Sequence, residues 1–180
     1  MTDTMFAADA AALDAADPLA PFRDRFHLRE GLIYLDGNSL GALPKATGGR
    51  LAEVVGSEWG EGLITSWLGA EWSTAPRRIG DKIGRLIGAD PGEIVATDST
   101  SVNIFKALTA ALSLRRERTV ILSEATNFPT DVYMMQGIEA FSGGRVKAVT
   151  VAPDAVVEAL NEDVAVLLLT QVHYKSGRVR

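Results

Sequence analysis

Short apolar runs alternate with helix-period segments through the second half of the chain, and this predicts an α/β fold with a mainly parallel sheet and helices on both faces. Residues 164–169 form an unbroken apolar run of the kind expected in a strand buried on both sides. At residues 93–112 the period switches from that of a strand to that of a helix across Asp98-Ser99-Thr100-Ser101. The expected order is strand 93–97, helix 100–114, strand 119–122, helix 129–141, strand 146–151, helix 153–161 and strand 164–169. Two segments follow from this: 1–92 as an N-terminal arm and helical region, and 93–180 as the first half of an α/β domain.

Composition limits the function. With 180 residues, 47% hydrophobic and 23% charged, the chain is long enough to bury a core. A net charge of −5, with basic residues clustered only at Arg115–Arg118, argues against nucleic-acid and membrane-surface partners. There is no cysteine and there are two histidines, so no disulfide framework or thiolate metal site is expected and cytoplasm is the default compartment. Residues 1–5 lack a basic start followed by an apolar stretch, and no apolar run is long enough for a membrane span, so no targeting segment is expected.

In chain order, residues 6–20 are rich in Ala and Asp and end at prolines, as a peripheral helix or arm would. Residues 32–35 read as a short strand running into the Gly37–Gly41 turn, and Pro44 opens a helix to about Gly60. All three tryptophans, Trp59, Trp67 and Trp72, fall close together, which suits a buried patch but also an aromatic pocket or interface. Arg77 to Ile87 is helical, and Gly80, Gly84 and Gly88 at four-residue spacing let another backbone approach.

Ligands of open parallel sheets bind beyond the carboxyl ends of the strands, so polar residues there carry the functional signal. Three groups qualify: Asp98 to Ser101, Asn127 to Asp131 and Thr170 to Tyr174. At the first, Thr100 and Ser101 hydroxyls and free N–H groups at a helix start suit a phosphate, although Asp98, Ser99 or Thr100 serves equally as a simple cap. In the second, Pro129 and Asp131 suit a first helical turn, and Phe128 stands where a ring can lie against a ligand or in the core. Gly37-Asn38-Ser39-Leu40-Gly41 matches a hydrolase nucleophile elbow, but Ala42-Leu43-Pro44 intervenes before any helix and only His173 is placed to act as base. No Walker loop and no G-x-G-x-x-G occurs.

Taken together, Tyr34–Gly41, Asp98–Asn103, Asn127–Asp131 and Val172–Arg178 resemble the kynureninase family from about residue 30 onward. The resemblance implies an aminotransferase-like fold and a homodimer that uses pyridoxal 5′-phosphate to hydrolyse L-kynurenine, or its 3-hydroxy form, to anthranilate and alanine in tryptophan catabolism. It implies cofactor contacts at Thr100, Ser101, Phe128, Pro129, Thr130, Asp131 and Thr170, and substrate contacts at Ser39 and Trp67. Family members are about twice as long. The resemblance puts the aspartate that pairs with the pyridine nitrogen, and the lysine that binds the cofactor covalently, beyond Arg180. None of Lys45, Lys82, Lys106, Lys147 and Lys175 matches that lysine, so an inactive fragment with no catalytic residue of its own is expected. Cysteine desulfurases and class V transaminases share the phosphate turn, and a non-catalytic half-domain is a further alternative. The Gly37–Gly41 turn and Phe128–Asp131 favour kynureninase.

Overall fold

The computed structural model describes residues 2–179, and these fall into two units divided between Arg78 and Ile79. The first unit is helical. It contains α1 (Thr2–Ala16), a 3₁₀ helix (Ala20–Arg25) with Pro21 in its first turn, α2 (Thr47–Glu53), a π-helix (Val54–Glu61), a 3₁₀ turn (Leu63–Thr65) and α3 (Ser66–Gly69). The strand expected at 32–35 does not form. Ile33 and Leu35 are 80% and 89% exposed, and the Leu32 carbonyl accepts from the Arg23 guanidinium at 2.7 Å instead of joining a ladder.

Helix α4 (Ala75–Ile87) carries the chain into the second unit. There α5 (Thr100–Leu114), β1 (Val120–Glu124), α6 (Pro129–Phe141), β2 (Lys147–Val151) and β3 (Val164–Leu168) build an α/β layer. The sheet has order β2-β1-β3 and both pairings are parallel, with Ile121 opposite Ala148 and Val166. Leu108 of α5 and Met135 and Ile138 of α6 pack with Ile121 in one buried cluster, so both helices cover the same sheet face. The expected bounds of α5 and α6 match those observed, because each start carries a strong signal: a serine cap for α5 and Pro129 at the first position of α6.

Three further expectations are corrected. Residues 93–97 form no strand: their backbone is used elsewhere, with Asn103 Nδ2 donating to the Thr97 carbonyl at 2.8 Å. Residues 153–161 form turns and not a helix, held by scattered bonds such as Ala159 N to the Ala155 carbonyl, too few to repay helix nucleation. The run at 164–169 is not buried on both sides, since β3 is an edge strand and Leu167 is 38% exposed.

Of the three spaced glycines, Gly80 and Gly84 meet neighbouring backbone as expected, whereas nothing approaches Gly88. A Cβ on Gly80 would lie 2.0 Å from the Ile94 carbonyl oxygen, so only glycine lets the helix approach that backbone. At the helix end, Gly88 adopts φ +76°, and Ala89 N bonds the Gly84 carbonyl at 3.0 Å, closing α4 with a left-handed cap.

Candidate functional site

Helix α5 precedes β1 and α6 follows it, each through a short connection, and both lie on the Ile121 face. Both therefore run antiparallel to β1 and begin at the edge where the strands end. Thr100 and Ser101 on one helix and Phe128 to Asp131 on the other thus share that edge with Thr170, which follows β3.

Ser99 is the cap of α5. Its Oγ accepts from Val102 N at 3.3 Å, which leaves the Thr100 and Ser101 amides in the first turn, where helical N–H groups have no intrahelical acceptor. Ser99→Ala is expected to cost about 1 kcal/mol, read as a lower urea midpoint with an unchanged slope. Asp98 sits just ahead at φ +42°, with its carboxylate paired to Lys106 and accepting from Thr97 Oγ1 at 2.9 Å. Those two partners hold its carboxyl below the usual range, Lys106 foremost. Lys106 also offsets a negative charge that would otherwise repel an anion at this helix start.

The end of β1 is a buried hydrogen-bond chain whose proton directions are all determined. The Phe128 amide can only donate, so the Asn127 atom it meets at 2.7 Å is the carbonyl Oδ1. Thr170 Oγ1 lies 2.5 Å from the same Oδ1 and must donate to it. Asn127 Nδ2 then donates to Ser123 Oγ at 3.0 Å, and Ser123 passes its own proton to the Leu168 carbonyl at 2.7 Å. Ser123 and Asn127 are 0% and 6% exposed, so the centre of this chain is buried while its ends at Phe128 and Thr170 are partly open, and it ties β1, the start of α6 and the end of β3 together.

Phe128 is 43% exposed and meets the edge of Tyr174, with centroids 4.9 Å apart. Pro129 is exposed in the first turn of α6, Thr130 is half-buried, and burial pushes the Asp131 carboxyl above its ordinary value. Asn127, Pro129, Tyr133, His173, Tyr174 and Lys175 are among the residues lining a hollow of about 390 Å³. His173 is a clasp. Its Nδ1 accepts from the Lys175 and Ser176 amides at 3.3 and 3.2 Å, so the ring proton is on Nε2, which donates to the Thr126 carbonyl at 3.1 Å.

Ser39 and Trp67 belong to the first unit. Ser39 Oγ donates to Asp36 Oδ1 at 2.8 Å, in a turn where the Tyr34 hydroxyl meets the Leu40 carbonyl at 2.5 Å. With Ser39 engaged there, both His173 nitrogens occupied and no helix starting at residue 42, the nucleophile-elbow reading is excluded. Trp67 is 55% and Trp59 63% exposed, so the tryptophans do not form a buried patch. With Leu63, Ile64 and Trp72 they line an open apolar hollow of about 290 Å³.

Composition did not point to the support beneath that hollow. Glu58 accepts from Trp72 Nε1 at 2.6 Å and pairs with Arg50 at 2.5 Å, and these two partners, the indole first, lower its carboxyl pKa. A depressed folded pKa means the stabilisation is complete above the ordinary value of 4.5 and is lost as pH falls through the lower folded value. Trp72 emission is therefore expected to change on acidification below that value, and Glu58→Gln to flatten the profile. Asn127 heads the second strand-end group but is given no contact role by the sequence, although its position carries a signal: an asparagine directly before a helix start commonly bonds local backbone.

The fold and its strand-edge polar network define an α/β protein with its candidate pocket at the carboxyl ends of parallel strands. No family model matches the chain. It is 47% identical over 174 residues to a kynureninase of Pseudomonas fluorescens and 48% identical over 174 residues to one of Burkholderia pseudomallei (strain K96243). A kynureninase of Burkholderia mallei (strain SAVP1) is 47% identical over the same length. Each match covers 94% of this chain and 42% of the relative, so the chain spans about two fifths of the length of the curated relatives it matches. Over most of its length the chain is similar to kynureninases, and the match is consistent with an N-terminal portion of such an enzyme.

Proposed function

We propose that this sequence forms the phosphate side and one ring face of a pyridoxal 5′-phosphate site in a kynureninase, which hydrolyses L-kynurenine or its 3-hydroxy form to anthranilate and alanine. The supporting observation is the juxtaposition, in a chain 47% identical to a kynureninase, of an α5 start with first-turn amides and the half-buried Asn127–Thr170 bond beside Phe128. The donor set suits the group: Thr100 and Ser101 offer hydroxyls and amides to a phosphate, and Phe128 offers an exposed ring face. Pro129 and Thr130 shape the α6 turn, and Asp131 stands in the same first turn. Ser39 and Trp67 serve the substrate side.

The cofactor, once bound, supplies an electron sink for an amino-acid substrate, while the protein binds and orients it. Helix dipole strength of about 0.3–1 kcal/mol assists the phosphate but does not hold it alone, so hydroxyl and amide contacts carry most of the affinity. Of the lysines, Lys106 pairs with Asp98, Lys147 pairs with Glu139, and Lys175 rests 5.5 Å from the Tyr174 ring centre. The resemblance to kynureninases puts the covalent anchor and the partner of the pyridine nitrogen outside these 180 residues, and it implies a second subunit that completes the site and an enzyme that works in the cytoplasm. Among the described residues no helix is long and apolar enough to cross a membrane.

Titrating the purified chain with pyridoxal 5′-phosphate and with unphosphorylated pyridoxal, followed by absorbance, tests the reading. Phosphate-dependent binding is expected, at least about tenfold tighter for the phosphate form, with the preference lost in a Thr100→Val, Ser101→Ala double variant. Added kynurenine is expected to yield no anthranilate fluorescence from this chain alone. Equal binding of the two vitamers would sink the phosphate assignment.

A further inference from the structure

Three arginines meet at the amino ends of the strands, across the sheet from Thr100 and Thr170. Arg116 follows α5, Arg118 precedes β1 and Arg145 precedes β2, and all three line one hollow of about 590 Å³. β1 separates this hollow from the candidate cofactor pocket by five residues, about 17 Å at the rise of a strand. No acidic residue lines it, and none of the three arginines forms an ion pair among the described residues. The carbonyl ends of α5 and α6 lie nearby and favour cations, which accounts for part of the clustering. They do not use up the donors. Arg145 gives its Nε proton to the Ser142 carbonyl at 3.1 Å, and Arg118 gives one proton to the Val164 carbonyl at 3.2 Å, so each keeps further N–H groups. The Ser142, Gly143 and Gly144 amides already close the last turn of α6.

We propose that this hollow is an anion site that takes the phosphate group of a small phosphate ester between Arg116, Arg118 and Arg145 and rests its organic part on Leu112 and Val146. It does not depend on the cofactor reading above. Guanidinium forks match the oxygens of phosphate and carboxylate, and three of them together favour a group with close to two negative charges, as a phosphate monoester has at neutral pH. The backbone tethers on Arg118 and Arg145 restrict those side chains beforehand, which lowers the entropy lost on binding. Leu112 and Val146 are both half-buried and give the hollow an apolar wall, which a bare inorganic ion would leave uncovered. The net charge of −5 opposes anions over the chain as a whole, so attraction here is local and confined to about one screening length, some 10 Å at 0.1 M salt.

The test titrates the full chain with phenyl phosphate and, separately, with benzoate, a ring of similar size carrying a single charge, and follows amide shifts by nuclear magnetic resonance. Saturable shifts at Thr119 and Val146 are expected, with phenyl phosphate at least about tenfold tighter than benzoate. Arg116 and Arg145 are exposed, and an Arg116→Gln, Arg145→Gln double variant is expected to weaken phenyl phosphate about tenfold or more. Should that variant fail to fold, Arg116→Glu decides, because the Arg116 side chain makes no hydrogen bond or ion pair among the described residues: a comparable loss of affinity supports the proposal and an unchanged affinity overturns it. No shift at Thr119 and Val146, or equal affinity for the two compounds, overturns it as well. Shifts confined to Thr100 and Ser101 would place the phosphate at the start of α5 and overturn this site while leaving the cofactor reading intact. Binding at Thr119 and Val146 with none at Thr100 and Ser101 supports this site whatever becomes of that reading.

Discussion

Met135→Ala is expected to destabilise the Ile79–Arg180 unit by about 2 to 5 kcal/mol, the range for emptying a packed core site. Met135 is 0% exposed and lies in the cluster with Leu108, Ile121 and Ile138, so the lost thioether leaves a gap between α6 and the central strand. The site feels this because α6 carries Phe128 and Asp131 at its start, and a helix loose on β1 no longer presents them at one depth. Urea unfolding monitored by far-ultraviolet circular dichroism reads the loss. Met135→Leu, close in volume, is expected to cost less than about 1.5 kcal/mol, and an equally large loss from it would argue against cavity formation as the cause.

Gly80→Ala is expected to cost about 1 to 3 kcal/mol, the usual penalty for overpacking. The added carbon would meet the Ile94 oxygen at 2.0 Å, the Ile94 carbonyl carbon at 2.6 Å and Val95 N at 3.0 Å, all backbone atoms with no rotamer to yield. The segment must move away from α4, and it leads directly into Asp98 and the Ser99 cap. Cofactor affinity is therefore expected to fall together with stability. Gly84→Ala serves as the control, since its nearest contact is at 3.3 Å and a far smaller effect is expected. Equal effects at the two positions would show that helix propensity or general packing, and not the Ile94 contact, governs α4.

Elements that declare themselves locally were legible in the chain. Ser99 and Pro129 mark helix starts, and the apolar periods behind them fixed the extents of α5 and α6. The apolar runs around Ile121, Ala148 and Val166 announced three parallel strands. Residues 93–97 look much the same in composition, but a strand is defined by its neighbour, and that segment's backbone faces Gly80 and Asn103 instead. The hydrogen-bond chain was hidden for a related reason: Asn127 and Thr170 are 43 residues apart, and no spacing rule joins them. Trp72 and Glu58, 14 apart across a π-helix, escaped similarly, because a π-turn shifts side chains off the helical period.

The order β2-β1-β3 has a consequence during synthesis. The central strand is translated first, and both strands that flank it emerge later, β3 last of all. At ribosomal speeds of 5–20 residues per second, β1 waits about 2–9 s after its own completion before β3 has been made. Through that interval Val120–Glu124 is an apolar segment with open backbone on at least one side, the condition in which nascent chains associate with one another. Slower translation through residues 125–163 would lengthen the interval, so the yield of soluble protein is tied to codon speed in the stretch that supplies α6 and β2.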